Sequence, residues 1–383
     1  MKKTKRKGRV KGKLKMERTK ERHLQALKII AVAFILAVIY TCPAVFAANL
    51  NVGPEGGDYT TIQAAVDAAN DGDTIFVSQG TYNENLKINK EVRIWSDSRN
   101  PEDTIVKAAD PAESAVEITA DRATFSGFGV EDSDKAGILL TGVNNCYINN
   151  NLAKNSEYGI LLQNAGTNNI NGNTMTLNEV GIRLEGSDSN TIQDNLIAYN
   201  YEYGISLKES SKNIIYNNYF KNAENVEENT VNADNSWQST LSTKSNIIRG
   251  PYIGGNFWAD LENTGYSETC VDENSNGICD ASYEVPGGGT DQSPLYPKVQ
   301  AAVTSLENEL DAEAYEQGLV DREGAVNVTE TPLEEVTEEA NETAVEGEET
   351  PETETEEEKG APGPGLGIAV LATGAAYILK RKR

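Results

Sequence analysis

Three ladders of like residues run in register through the middle of the chain. Gly-Ile recurs at Gly137, Gly159, Gly181 and Gly204, in steps of 22, 22 and 23 residues. Isoleucine follows at Ile148, Ile170, Ile192 and Ile215, and asparagine at Asn151, Asn173, Asn195 and Asn218, with the same steps. A fixed period of this size specifies a solenoid, in which each unit buries its apolar face only against its neighbours. The unit is too short, and too rich in β-branched residues and asparagine, for a helical repeat. After each glycine the residues alternate. Ile138/Leu140, Ile160/Leu162, Ile182/Leu184 and Ile205/Leu207 point one way, and Leu139/Thr141, Leu161/Gln163, Arg183/Glu185 and Ser206/Lys208 the other. Period two predicts a strand with one buried face. A second short strand surrounds the Ile of the second ladder. Stacked coils of this kind make parallel sheets about 4.8 Å apart along the axis.

Each ladder has a physical role. Glycine gives the backbone room at the corner entering a strand. The aliphatic residues stack inside, each contributing roughly 1.5–3 kcal/mol of burial. Asparagine tolerates left-handed backbone and hydrogen-bonds nearby main chain. Repeated at one corner, Asn151, Asn173, Asn195 and Asn218 form a ladder that satisfies turn peptides no strand pairs. The expected class is all-β. Upstream, Val116/Ile118 sit one period before Ile138/Leu140, and Ile75/Val77, Leu86/Ile88 and Val92/Ile94 mark three further strands. Before them "TTIQAAVDAAN" reads as a short helix, with Thr60 and Gln63 as a capping box and Ile62, Ala65, Val66 and Ala69 on one face. An amphipathic helix there would plug the open end of the solenoid.

The ends of the chain read differently. Of the 34 basic residues, 13 fall in residues 1–47, where Glu17 and Glu21 are the only acids. That basic run precedes "IIAVAFILAVIYTCPAVFA", which ends in small residues and predicts an export signal cut after Ala47. The remainder is strongly acidic, within a net charge of −25 for the whole chain. Such a surface repels nucleic acid and anionic lipid. Domains are expected at 1–47 (signal), 48–297 (solenoid), 298–360 (acidic linker) and 361–383 (anchor). Residues 301–360 carry 21 acids against Arg322 and Lys359, a composition for a disordered stalk. Asn327 and Asn341 begin glycosylation sequons there. The apolar run Leu366–Leu379 spans 14 residues, short of the about 20 that cross a bilayer. Its basic end places the solenoid outside the cell.

Four features could carry chemistry. "DENSNGICD" from Asp272 to Asp280 sets side-chain oxygens of Asp272, Asn274, Asn276 and Asp280 at positions 1, 3, 5 and 9, with Gly277 at 6 and the Ile278 carbonyl at 7. This is the start of a calcium loop. Position 12 is Tyr283 rather than Glu, so a weak structural calcium in the about 10⁻⁴–10⁻³ M range is expected. Cys270 and Cys279 flank the loop closely enough to pair in an oxidising compartment. Cys146 is left over as a buried thiol. Arg183, Glu185, Lys208 and Glu209 fall near one another on adjacent coils, as a catalytic or ligand face or as a solvated ion-pair ladder. Tyr199, Tyr201 and Tyr203 alternate as an exposed aromatic face for sugar, while Phe257 and Trp258 are expected in an apolar exit cap. No His follows residue 47, which removes the most adaptable acid–base group.

Taken together, "VGPEGGDYTTIQAAVDAANDGDTIFVSQGTYNENLKI" at the entry and "GGNFWADLENTGYSETCVDENSNGICDASYEVPGGGTDQSPL" at the exit resemble the NosD-like, carbohydrate-binding-and-hydrolase type of archaeal surface protein. The resemblance spans roughly residues 48–297. It implies a single-stranded right-handed parallel β-helix. It leaves function open, because the scaffold hosts lyases, esterases, hydrolases, epimerases and pure binders. The copper role attached to the NosD name needs His, Met or Cys ligands. Here the single His is His23, in the export segment, and Met175 is the one Met after residue 47, so no copper role is expected. The segment "APGPGLGIAVLATGAAYILKRKR" resembles archaeal tails that an archaeosortase cuts and replaces with lipid, with Pro364 where that pattern has Phe. The expected partners are a glycan or envelope polymer, that processing enzyme, and the membrane through the C-terminal segment. Binding or structural presentation at the envelope is the expected role, with a polysaccharide-modifying enzyme or a surface-layer component as alternatives.

Overall fold

The computed structural model describes residues 16–32, 47–228, 234–298 and 303. Most of the export signal's apolar run, the acidic linker with Asn327 and Asn341, and the C-terminal apolar segment lie outside the described residues. Among the described residues no helix is long and apolar enough to cross a membrane.

Residues 49–226, with the strand at 257–259, form a parallel β-solenoid whose turns contribute to three sheets of eight, seven and eight strands. The first sheet runs from Asn49–Val52 to Ile214–Tyr216. The second runs from Leu86–Ile88 to Glu224–Val226, and the third from Gly80–Asn83 to Phe257–Ala259. In a regular coil the chain passes through the second, first and third sheets in turn. Ala136–Thr141, Tyr147–Asn149 and Leu152–Lys154 form one such coil. The third strand of each coil, just after the ladder asparagine, is the element that periodicity alone does not reveal. Its inward residue changes from coil to coil, through Ala153, Met175, Ile197 and Phe220, so no ladder of like residues marks it.

Like side chains lie over like. Val116, Ile138, Ile160, Ile182 and Ile205 are register partners in the second sheet. Ile148, Ile170, Ile192 and Ile215 are partners in the first sheet. Ala153, Met175, Ile197, Phe220 and Trp258 are partners in the third. All are buried in one continuous core. At roughly 25 cal/mol per Å² of apolar area, this stack dominates the favourable energy of folding.

The corners divide their work between neighbouring residues. The positive φ falls on the residue before each ladder asparagine, at Asn150, Gly172, Asp194 and Asn217. The ladder asparagine itself then turns inward, so tolerance of left-handed backbone is not its role. The repeated glycines are not corner residues either. Gly159 and Gly181 are the second residues of their strands, and a Cβ on Gly181 would stand 2.7 Å from the Gly204 carbonyl and 2.9 Å from Asn200 Nδ2. Close approach, not backbone freedom, excludes a side chain there.

The entry helix spans Ile62–Ala68 and buries Ile62, Ala65 and Val66. Its cap differs from the expected Thr60–Gln63 box. Thr61 is the N-cap and accepts from Ala64 N. The Glu84 carboxylate accepts from the N–H groups of Ile62 and Gln63, both at 2.9 Å. At the other end Lys90 Nζ donates to the carbonyls of Val66, Asp67 and Ala69. An anion at the first turn and a cation at the last both suit the helix dipole. Both come from the following coil, where local sequence rules do not look.

Candidate functional site

Asn151 Nδ2 donates to Asn173 Oδ1 at 3.0 Å, Asn173 to Asn195 at 3.1 Å, and Asn195 to Asn218 at 2.9 Å. Each oxygen also accepts the preceding asparagine's backbone N–H, and each amide donates to a main-chain carbonyl one coil back, as Asn173 does to Ile148. The ladder continues through Asn256 and ends on Asp291. Two further ladders stand at the other corners: Asn168, Asn190, Asn213 and Asn235, and Asn178, Asn200 and Asn222. Their 22- and 23-residue spacing is present in the sequence beside the first.

The outer face of the second sheet holds most of the charged candidates. Arg183 Nε donates to Glu185 Oε1 at 2.7 Å, and its guanidinium lies 5.3 Å from the centre of the Tyr158 ring. Two coils on, Glu227 Oε2 lies 3.7 Å from Arg183 Nη1 and also accepts from the Ser206 hydroxyl. Gln163 Nε2 donates to Glu185 Oε2 at 3.0 Å, and Lys208 is the register partner of Glu185 on the next coil. Arg183 is thus held by partners on several coils, and only 11 % of its side chain is exposed. Burial pushes the Glu185 carboxyl upward, but hydrogen bonds from Gln163 and Arg183 and the charges of Arg183 and Lys208 outweigh it and hold it below the usual carboxylate range. Glu209 stands apart at a left-handed corner.

The three tyrosines do not share a face. Tyr199 is a left-handed corner residue and is buried, Tyr201 is 39 % exposed, and Tyr203 is half-buried in the second sheet. Period two fails here because the chain turns a corner between Tyr199 and Tyr203. Tyr203 instead shares an outward column with Tyr158, two coils away and so about 10 Å distant.

Residues 235–296 pack on the last coils. Phe257 and Trp258 both serve this cap, on opposite sides of one strand. Trp258 stacks on Phe220 inside the solenoid at 4.7 Å, and Phe257 stacks on Tyr219 outside it at 5.1 Å. Ile248, Ile278 and Leu295 join the outer cluster. The Cys270–Cys279 disulfide is formed. It closes residues 270–279 into a ring that holds most of the Asp272–Asp280 loop, with Ile278 packed in the outer cluster beside Tyr219 and Phe257. In that loop Asp272 accepts from Asn276 N and Gly277 N, Asn274 Oδ1 from Asn276 N, and Asn276 Oδ1 from Ile278 N. Asp280 accepts from Glu273 N and Asn274 Nδ2. Every side-chain oxygen in the set therefore braces the loop, with a second lone pair left on each. Among the described residues no three His, Cys, Asp or Glu side chains gather as a metal site.

Soft donors are as scattered. Cys146 is fully buried, with Sγ 3.3 Å from the Ala120 carbonyl, and burial pushes its thiol up to about 11. Met175 is fully buried, and Cys270 and Cys279 are bonded to each other. These residues do not fit a copper centre.

A cell surface glycoprotein of Methanothermus fervidus is 32% identical to this chain over 110 residues, which is 28% of this chain and 17% of that protein's length. Among solved structures, the alginate lyase of Paenibacillus sp. str. FPU-7 is similar at 15% identity with a TM-score of 0.40, over 47% of this chain and 68% of that one. The pectin methylesterase PemA of Erwinia chrysanthemi is similar at 14% identity with a TM-score of 0.33, over 54% and 77%. The family described as periplasmic copper-binding protein (NosD) matches residues 66–263, just over half of the chain. With its in-register coils, its entry helix and that match, the chain belongs to the NosD family.

Proposed function

We propose that the protein displays its solenoid at the cell surface to bind an envelope glycan, with the outer face of the second sheet as the ligand platform. The arrangement around Arg183 carries this reading. A guanidinium fixed by Glu185, Glu227 and Tyr158 loses little freedom on binding, so its donors are pre-oriented for sugar hydroxyls or carboxylates. Tyr158 and Tyr203 add flat rings in one column. A Glu185 held in its ionised form suits binding better than general-acid work. The surface glycoprotein relative supports display outside the cell. The C-terminal segment would tether the domain through the acidic stalk, whether retained or exchanged by a processing enzyme. The Asp272–Asp280 loop would hold one structural calcium, with Asp272, Asn274, Asn276, the Ile278 carbonyl and Asp280 as ligands.

The test is a glycan array with the full chain, beside lyase and hydrolase assays on any polymer retained. Binding without turnover, lost in Arg183→Ala, is expected. Turnover abolished by Arg183→Ala or Glu185→Ala would make it a polysaccharide-modifying enzyme. Ordered self-association without glycan affinity would make it a surface-layer component.

A further inference from the structure

Beside the last coil the second sheet stops at Glu224–Val226, which pairs on one side only, with Tyr203–Lys208. Between that open edge and the exit cap lies a cleft of about 830 Å³. This lies within the about 300–1,000 Å³ of small-molecule sites. One wall is Tyr203 with Glu224 and Glu228; the other is Trp258, Tyr266 and Tyr283. The ring centres of Trp258 and Tyr283, and of Tyr283 and Tyr266, are each 4.9 Å apart, so Tyr266 and Tyr283 form the accessible aromatic wall and the buried Trp258 backs it. Tyr266 is fixed by donating to the Ala281 carbonyl at 2.7 Å. Glu224 and Glu228 are exposed at the mouth, and among the described residues no lysine or arginine lines the cleft.

We infer that this cleft binds a saccharide bearing free amino groups. The choice of a saccharide rests on the proposed glycan-binding role; the choice of an amino sugar rests on the cleft. Aromatic faces stack on the apolar faces of sugar rings and attract cations, and carboxylates accept from hydroxyl and ammonium groups. The lining carboxylates repel uronic acids and sulfated polymers. An extended basic peptide fits less well, because a three-residue edge strand offers too few backbone partners for strand addition. The phenol of Tyr203 reports the same field: burial, then the charges of Glu224, Glu227, Glu202 and Glu228, raise it above its ordinary value. Glu227 lines the cleft and also faces Arg183, so the cleft adjoins the platform; its charged lining is all acidic, while the platform pairs Arg183 and Lys208 with Glu185 and Glu227.

Isothermal titration of the full chain with glucosamine tetramer, its N-acetylated counterpart, a neutral glucose tetramer and tetralysine tests this. Binding of the glucosamine tetramer is expected, weakened about tenfold in Glu224→Gln/Glu228→Gln and weakened by added salt, while Glu55→Gln/Glu102→Gln, two exposed carboxylates outside the cleft, leaves it unchanged. Glu224 and Glu228 are both exposed, so their double variant should keep its fold, checked by an unchanged melting midpoint. Equal affinity for the N-acetylated or neutral tetramer, tighter binding of tetralysine, or no binding at all would overturn the inference. Loss in Arg183→Ala with none in Glu224→Gln/Glu228→Gln would overturn it too, and would leave the platform as the glycan site.

Discussion

Asp291 Oδ2 accepts the backbone N–H of Asn256 at 2.8 Å, in the position that an asparagine oxygen holds at the same corner for Phe128, Asn151, Asn173, Asn195 and Asn218. It also accepts from Trp258 Nε1 at 2.9 Å, while Oδ1 accepts from Ser293 N at 3.0 Å. The ladder thus ends on an acceptor-only group, where no further coil offers a partner for an amide N–H₂. Gly255 makes room for it: a Cβ there would fall 1.9 Å from Asp291 Oδ1.

Burial dominates at Asp291 and, against hydrogen bonds from Asn256, Trp258 and Ser293, pushes its carboxyl from the ordinary 3.8 up to about 6. Between those two values the folded state holds a proton that the unfolded chain has released. This carboxylate's contribution to stability therefore rises as pH falls through about 6, by up to roughly 3 kcal/mol at about 1.4 kcal/mol per unit. Denaturant unfolding of the wild type and Asp291→Asn at pH 7.5 and pH 4.5 should show their difference shifting by about 2 kcal/mol in favour of the wild type at the acid end. A difference constant with pH would sink this account.

Asn195 sits in the middle of its ladder with five polar connections, to Asn173, Asn218, Ile170 and its own N–H partner. Asn195→Ala takes the shared acceptor from Asn173 N and Nδ2 and the donor from the Ile170 carbonyl, buried groups worth about 1–3 kcal/mol each. A loss of at least about 3 kcal/mol in urea unfolding is expected. Less than about 1 kcal/mol would mean that water replaces the amide.

Glycine substitutions separate crowding from backbone strain. Gly181→Ala places a methyl 2.7 Å from both the Gly204 carbonyl and Ile197 Cγ2, and should cost about 3 kcal/mol or more, on the order of overpacking plus ladder disruption. Gly142 has φ 65°, and a methyl added there would meet nothing within 4 Å, so Gly142→Ala should cost only the about 1–2 kcal/mol of left-handed backbone. Thermal midpoints that rank the two the other way would contradict the close-packed strand.

Removing Arg183 should release Glu185. The lowered carboxyl contributes stability above its ordinary value that is lost as pH falls through its folded value. In Arg183→Ala that carboxyl should titrate higher, read by side-chain NMR, and the acid-side loss of stability due to Glu185 should shrink. An unmoved titration would show that Gln163 and Lys208 suffice.

Calcium in the Asp272–Asp280 loop predicts a melting midpoint of the full chain that rises with millimolar calcium and falls with chelator. The disulfide acts separately: reduction should cost about 2–3 kcal/mol whether or not calcium is present. A midpoint indifferent to chelator would leave the loop held by its own hydrogen bonds alone.

Periodicity along the chain was enough to specify the coil, because a solenoid repeats one local packing problem and Ile160, Ile182 and Ile205 answer it identically. The Asn151–Asn218 ladder, the buried Cys146 and the pairing of Cys270 with Cys279 were legible for the same reason: each depends on spacing. Tertiary structure alone decided where the repeat stops. Glu84 and Lys90 capping the entry helix, Asp291 closing the ladder, Tyr199 turning inward, and Trp258 and Phe257 facing opposite ways all depend on segments far apart in sequence. Those contacts occur once, and a pattern that occurs once leaves no period to read.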